Sequence, residues 1–156
     1  MKKILTLAVS LFLLAATTQA QNLQKFFDKY GDDERFQYVS VSKGLMNMAS
    51  VFGGLAKDDK KMMAKMQGLK ILTLEENTET AFAKSVLKEL FQVIENGNFE
   101  TAVEVRDKGE RVHIYYRITG TDDADMLLVT KDKSEFSCIW IKGKMTKEEI
   151  MKSFNP

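Results

Sequence analysis

The sequence predicts an α+β fold: an antiparallel sheet with a C-terminal four-strand meander, packed by amphipathic helices. Two observations carry this. Four strand-like segments follow one another between residues 101 and 141 with only short turns between them, and such short connections join antiparallel neighbours but not parallel ones. Helical patterns precede and follow that run, so the order reads α-β-α-α-β-α-β-β-β-β-α, grouped and not alternating as in a doubly wound sheet.

The chain opens with Lys2 and Lys3, an apolar run from Ile4 to Ala16 broken by Thr6 and Ser10, and small residues at Thr18 and Ala20. These are the three zones of a secretory signal peptide, with Thr18 and Ala20 at the minus-three and minus-one positions. Cleavage after Ala20 is expected, leaving residues 21–156 as a single α+β domain. A spanning helix needs roughly 20 apolar residues, more than this run offers. No cysteine stands at the junction to take a lipid, and no later stretch is apolar enough to span a bilayer. The expectation is an exported, water-soluble protein, periplasmic or secreted. Loss of two lysines leaves 21 basic against 22 acidic residues, a formal charge of −1. Nucleic acid is a poor partner for such a balance, because phosphate binding needs a cationic surplus.

Leu23, Phe26, Phe27 and Tyr30 recur at helical spacing before Gly31. Phe36 to Val41 is β-branched and aromatic, as strands prefer. Ser42 is placed to cap a helix carrying Leu45, Met46, Met48, Ala49 and Phe52, which Gly53 and Gly54 end. Asp58 opens a further helix through Met66, with Asp58 and Asp59 at its positive end and Gly68 closing it. Leu69 to Leu74 reads as a strand. Thr78 or Thr80 then starts the clearest helix, whose stripe of Phe82, Val86, Leu87, Leu90, Phe91 and Ile94 runs to a stop at Asn96 and Gly97. Thr101 to Arg106 and Arg111 to Ile118 flank a loop with Gly109 near its end, the preference of a bulged hairpin. Asp125 to Thr130 and Glu135 to Ile141 form a second hairpin. The last helix begins at Thr146, with Glu149 at capping-box distance.

Strand alternation puts Val112, Ile114, Tyr116 and Ile118 on one face and Arg111, His113, Tyr115 and Arg117 on the other. Val103 and Val105 join the first face, Glu104 and Arg106 the second. This predicts a half-buried sheet whose Arg111/His113 side is wet. The last strand departs from that pattern, since Phe136, Cys138 and Trp140 oppose Ile139 and Ile141. Either the N-terminal helices cover this second apolar face, or part of it is open and binds something.

Candidate chemistry is sparse. His113 is the only histidine and Cys138 the only cysteine, so cysteine-pair metal motifs and an internal disulfide are excluded. Apolar flanks read Cys138 as a buried thiol, with a bridged dimer as the alternative. No Gly-x-Ser-x-Gly elbow accompanies His113. Asp122, Asp123 and Asp125 lack the spacing of a calcium loop and read as a solvated turn. Gly53-Gly54 lacks the Gly-Lys-Ser/Thr ending of a phosphate loop. No catalytic, cofactor-binding or metal motif is found. Eight of nine methionines follow the leader. Met62, Met63 and Met66 offer thioethers, which suit core packing, a pliable interface, or soft Cu(I). The candidate binding surface is Phe136 and Trp140 with Met62, Met63 and Met66.

The leader, Ser42-Lys43-Gly44-Leu45-Met46, Gly68-Leu69-Lys70-Ile71-Leu72-Thr73-Leu74 and the paired C-terminal hairpins together resemble the small exported bacterial proteins of the domain of unknown function 4252 family. The resemblance spans nearly all of the chain after the leader. It implies an envelope or secreted protein without an assigned activity, and it transfers no site residue. The functional expectation is a non-enzymatic envelope module binding a protein partner or an apolar ligand. Methionine-based copper handling and an enzyme with a dispersed site are the alternatives.

Overall fold

The computed structural model describes residues 22–52 and 57–154. The leader and its cleavage site, Gln21, the Gly53-Gly54 stop and Pro156 lie outside the described residues. Helix α1 (residues 22–31) leads to β1 (Phe36–Ser42), α2 (Lys43–Phe52), α3 (Lys57–Lys65), β2 (Met66–Leu74), α4 (Ala81–Asn96), β3 (Glu100–Asp107), β4 (Glu110–Ile118), β5 (Asp123–Lys131), β6 (Phe136–Lys144) and α5 (Lys147–Phe154). The element order is the one the sequence predicts.

All six strands form one antiparallel sheet in the order β1-β2-β6-β5-β4-β3. The meander β3 to β6 is therefore continuous in space, and the β1–β2 pair docks on its last strand. Helices α2 and α3 take the place of a tight turn between β1 and β2. Helix α4 must carry the chain from β2 to the far edge at β3. Sixteen residues make a helix of about 24 Å, enough to cross four inter-strand spacings of about 4.8 Å.

Helices α1 and α4 lie on one face. Leu23, Phe26, Phe27 and Tyr30 of α1 and Val86, Leu87, Leu90 and Ile94 of α4 pack on Leu72, Leu74, Leu127, Val129, Phe136, Cys138 and Trp140. The rings interlock, with Phe27 5.4 Å from Trp140 and Tyr30 5.0 Å from Phe36 between centroids. A smaller cluster on the opposite face joins Ile150 of α5 to Tyr116 and Ala124. Polar ties hold α1 to α4: Lys29 and the Tyr30 hydroxyl donate to Glu89 Oε2 at 2.6 and 2.7 Å.

Local sequence explains the element ends. Thr80 accepts from the Ala83 N–H at 3.1 Å and caps α4, while Thr78 is buried and donates to the Asp132 carbonyl at 2.5 Å. Glu149 and Thr146 satisfy each other's backbone N–H at 3.1 and 3.3 Å, closing the capping box of α5. At the end of α4 the residue with positive φ is Asn98 (55°), not Gly97 (φ −85°). Glycine is required at 97 for space, since a Cβ there would lie 2.7 Å from the Val93 carbonyl oxygen.

Three local expectations change. The β3–β4 connection is a two-residue turn with Lys108 at φ 43° and Gly109 at φ 96°. Two consecutive positive φ values match strand twist as a type I′ turn does, so no bulge is needed there. Met66 begins β2 and does not end α3, and Gly68 sits inside the strand beside a register shift against β6. The largest change concerns the sheet. The Arg111/His113 side, expected to be wet, is the side under α1 and α4, with Tyr115 packed against the core and Arg117 buried to 6% exposure. The Val112/Ile114 side carries most of the open surface.

Acid should loosen the helix ties. Burial works to raise the Glu89 carboxyl, but hydrogen bonds from Lys29 and Tyr30 outweigh it and hold Glu89 below the ordinary glutamate value of 4.5. A hydrogen bond from Lys65 lowers Glu149 likewise, tying α3 to α5. A carboxyl depressed in the fold stabilises above its unfolded value, and that contribution disappears as pH falls through the folded value. The expected result is a Tm that falls once the pH drops below 4.5, with a shallower fall in Glu89→Gln. Calorimetry across an acid series checks this, and an identical slope in Glu89→Gln would sink it.

Candidate functional site

The residues singled out in the sequence do not converge on one surface. Phe136 and Trp140, at 0% and 2% exposure, lie beneath α1 and α4. That corrects their placement on a reachable binding surface: of the two arrangements open to this face, the helices cover it. Only the Trp140 ring borders a cavity of about 260 Å³ at the sheet end, beside Lys70 and Lys142, whose ammonium groups lie 5.4 and 5.3 Å from the ring centroid. Met62 is exposed on α3 and Met63 is half-buried there, while Met66 belongs to β2. Met62 lines a cavity of about 290 Å³ between α3 and α5 together with Met145, Lys65 and Glu149.

The three aspartates expected in a solvated turn separate by position. Asp122 and Asp123 pair with Lys144 at 3.2 and 2.8 Å. Asp125 is 3% exposed, and its Oδ2 accepts from Arg117 Nε at 2.8 Å while Oδ1 accepts from Trp140 Nε1 at 3.0 Å. Arg117 Nη2 is 2.8 Å from the same Oδ2 without a well-directed hydrogen bond of its own. Arg117 Nη1 donates to the Gly97 carbonyl at 3.2 Å, and the guanidinium stacks 4.5 Å over Phe99. One carboxylate thus fastens β4, β5 and β6 to one another, and its arginine fastens them to the end of α4. The i, i+8 spacing of Arg117 and Asp125 across a hairpin was the available signal, since direct cross-strand partners share a face.

His113 is similarly occupied by packing. Its ring stacks on Tyr115 at 5.7 Å, meets Phe91 edge-on at 6.4 Å, and places Nε2 3.4 Å from Glu104 Oε1. Burial pushes the Cys138 thiol well above its ordinary range, which makes it a poor nucleophile. Full burial also rules out a bridge through Cys138 in the folded chain.

The open face is where side chains converge. Register places Val39, Ile71, Ile139, Leu128, Ile114 and Val103 directly opposite one another in a single row that crosses all six strands. None of them belongs to either packed cluster. Val39 is 48% exposed and the others are partly exposed. The row on one side is Val41, Leu69, Ile141, Met126, Tyr116 and Glu100, whose outer end α5 covers. The row on the other side is Gln37, Thr73, Ser137, Thr130, Val112 and Val105, within which Thr73 and Ser137 hydroxyls are hydrogen-bonded at 2.9 Å. Across these rows Glu100, at the outer edge, is the one charged residue. Sequence reading found the Val112/Ile114 stripe but assigned it to the core. An aliphatic plane of this extent facing water is unfavourable by roughly 25 cal/mol per Å² of apolar surface, which is the physical mark of an interaction surface.

Among the described residues no helix is long and apolar enough to cross a membrane. Neither a curated protein nor a solved structure matches the chain. A family model does match, over residues 30–153, from the end of α1 through most of α5. The chain belongs to the family described as domain of unknown function DUF4252.

Proposed function

We propose that this protein is an exported, non-enzymatic module of the cell envelope that binds a protein partner or apolar ligand through the open face of its sheet. The observation that carries the reading is the aliphatic row Val39-Ile71-Ile139-Leu128-Ile114-Val103, which among the described residues belongs to neither packed cluster. Residues with chemical potential elsewhere are engaged in structure: Asp125 and Arg117 with each other, His113 with Tyr115 and Phe91, Cys138 in the core. The leader motif at residues 1–20 supports export.

A photo-crosslinking amino acid placed at Leu128 in growing cells tests this directly. Adducts are expected from position 128 and none from Lys88, an exposed residue of α4 on the helix side. Folded protein that yields no adduct at 128, or equal yields at both positions, would remove the open face as a binding surface. The recovered protein should begin at Gln21; a chain still starting at Met1 in the cytosol would remove the export part.

A further inference from the structure

Resting on the reading of the open face as the binding surface, we infer that its occupant is a second copy of this chain, the two sheets stacking face to face about a two-fold axis. The resulting assembly has four layers, with α1 and α4 outside and the aliphatic rows meeting at the centre.

Charge is the first argument. A face that binds its own copy by two-fold symmetry meets the same residues again, so any lysine or carboxylate near its centre is brought close to its like. This face has none there: the central row is wholly aliphatic, and Glu100 stands at the β3 edge. Charge enters only beyond the Gln37-Thr73-Ser137-Thr130 row, where Gln37 donates to Glu75 at 2.8 Å, and the row itself carries groups that both donate and accept.

Shape and area agree. Stacked sheets lie about 10 Å apart with their side chains interdigitating, and a row of Val, Ile and Leu at about 4.8 Å spacing suits that packing. Three rows about 7 Å apart across six strands make a plane of about 28 by 20 Å. Leaving out the Met126, Tyr116 and Glu100 corner that α5 occupies, a pair buries roughly 900 Å², the size of a weak, transient association. An interface of that size predicts a reversible dimer with micromolar dissociation. Other occupants fit less well. A small ligand prefers concavity, and none of the described cavities is lined by the central aliphatic row, although Val112 and Thr130 border one at the Lys131 end and Val41 and Leu69 one at the Trp140 end. A lipid surface favours a basic rim with protruding aromatics, and these rows hold no lysine or arginine.

Light scattering with size exclusion, on the protein as processed by the cell, tests this from about 1 to about 200 µM, a span over which a reversible dimer changes its apparent mass. The expected result is a rise from monomer to dimer mass in the wild type. Leu128→Lys should weaken association by at least about 100-fold, because it buries an unpaired charge against its own copy, with the far-ultraviolet circular dichroism unchanged. If Leu128→Lys does not fold, Val103→Lys on the edge strand β3 makes the same test. A wild type that stays monomeric throughout overturns the inference, including one that instead floats with phosphatidylethanolamine–phosphatidylglycerol vesicles. A dimer that survives these lysines also overturns it, and loss of such a dimer in Ser40→Pro would assign the association to the uncharged edge of β1. A monomer that still crosslinks from position 128 to a different protein would leave the binding-face reading standing without the second copy.

Discussion

Replacing Asp125 with alanine is expected to cost about 3–5 kcal/mol, the largest loss from any single polar substitution in this fold, because it leaves the Arg117 guanidinium buried without its counter-charge. The carboxylate accepts from Arg117 Nε and from the Trp140 indole N–H, at 3% exposure. Its removal strips partners from residues on β4 and β6 at once. Urea unfolding followed by Trp140 fluorescence checks the loss and reports the indole's changed surroundings in the folded baseline. Removing the pair together, as Arg117→Met with Asp125→Leu, should recover most of the stability, since well-packed apolar groups often replace a buried ion pair at little cost. A loss below about 1 kcal/mol in Asp125→Ala is the range of a solvated surface pair, and would mean that water reaches the site.

The second large effect contrasts two residues of β6. Phe136→Ala is expected to cost about 3–5 kcal/mol, as truncation of a buried aromatic ring does. Ile139→Ala, three positions on and on the opposite face, should cost about 1 kcal/mol or less in dilute protein, because water already reaches that side chain and no cavity forms. Phe136 is 0% exposed and packed in the main core, whereas Ile139 belongs to neither packed cluster. Parallel denaturant titrations at sub-micromolar protein measure both. Equal losses would show that the second face is as closed as the first, and the binding surface argued from it would go.

Much of the fold was legible in local pattern. The α4 stripe, the Thr146/Glu149 capping box and the four-strand meander all depend on residues a few positions apart, where propensity and hydrogen bonding act directly. Boundaries moved where a distant strand intervened. Gly68 reads as a helix stop in isolation, yet β6 pairs with it and draws it into β2. Asp125 reads as one of three turn aspartates, yet Arg117 lies across the hairpin and Trp140 on the next strand. The candidate site was half legible. Alternation separated Ile114 from His113 correctly, but could not say which of the two faces the helices would choose.

Sequence alone therefore determined the order of helices and strands and which strand residues share a face, because those follow from periodicities of 3.6 and 2 along one segment. It also determined the family to which those patterns belong. Only the tertiary structure decided that α1 and α4 cover the Phe136/Trp140 side and leave the Val39-to-Val103 row open. That choice is a comparison of whole faces. The covered side carries Phe136, Trp140, Leu127 and Leu72 at its centre and buries more apolar area against two helices, while its polar members, Arg117 and Asp125, neutralise each other at the margin.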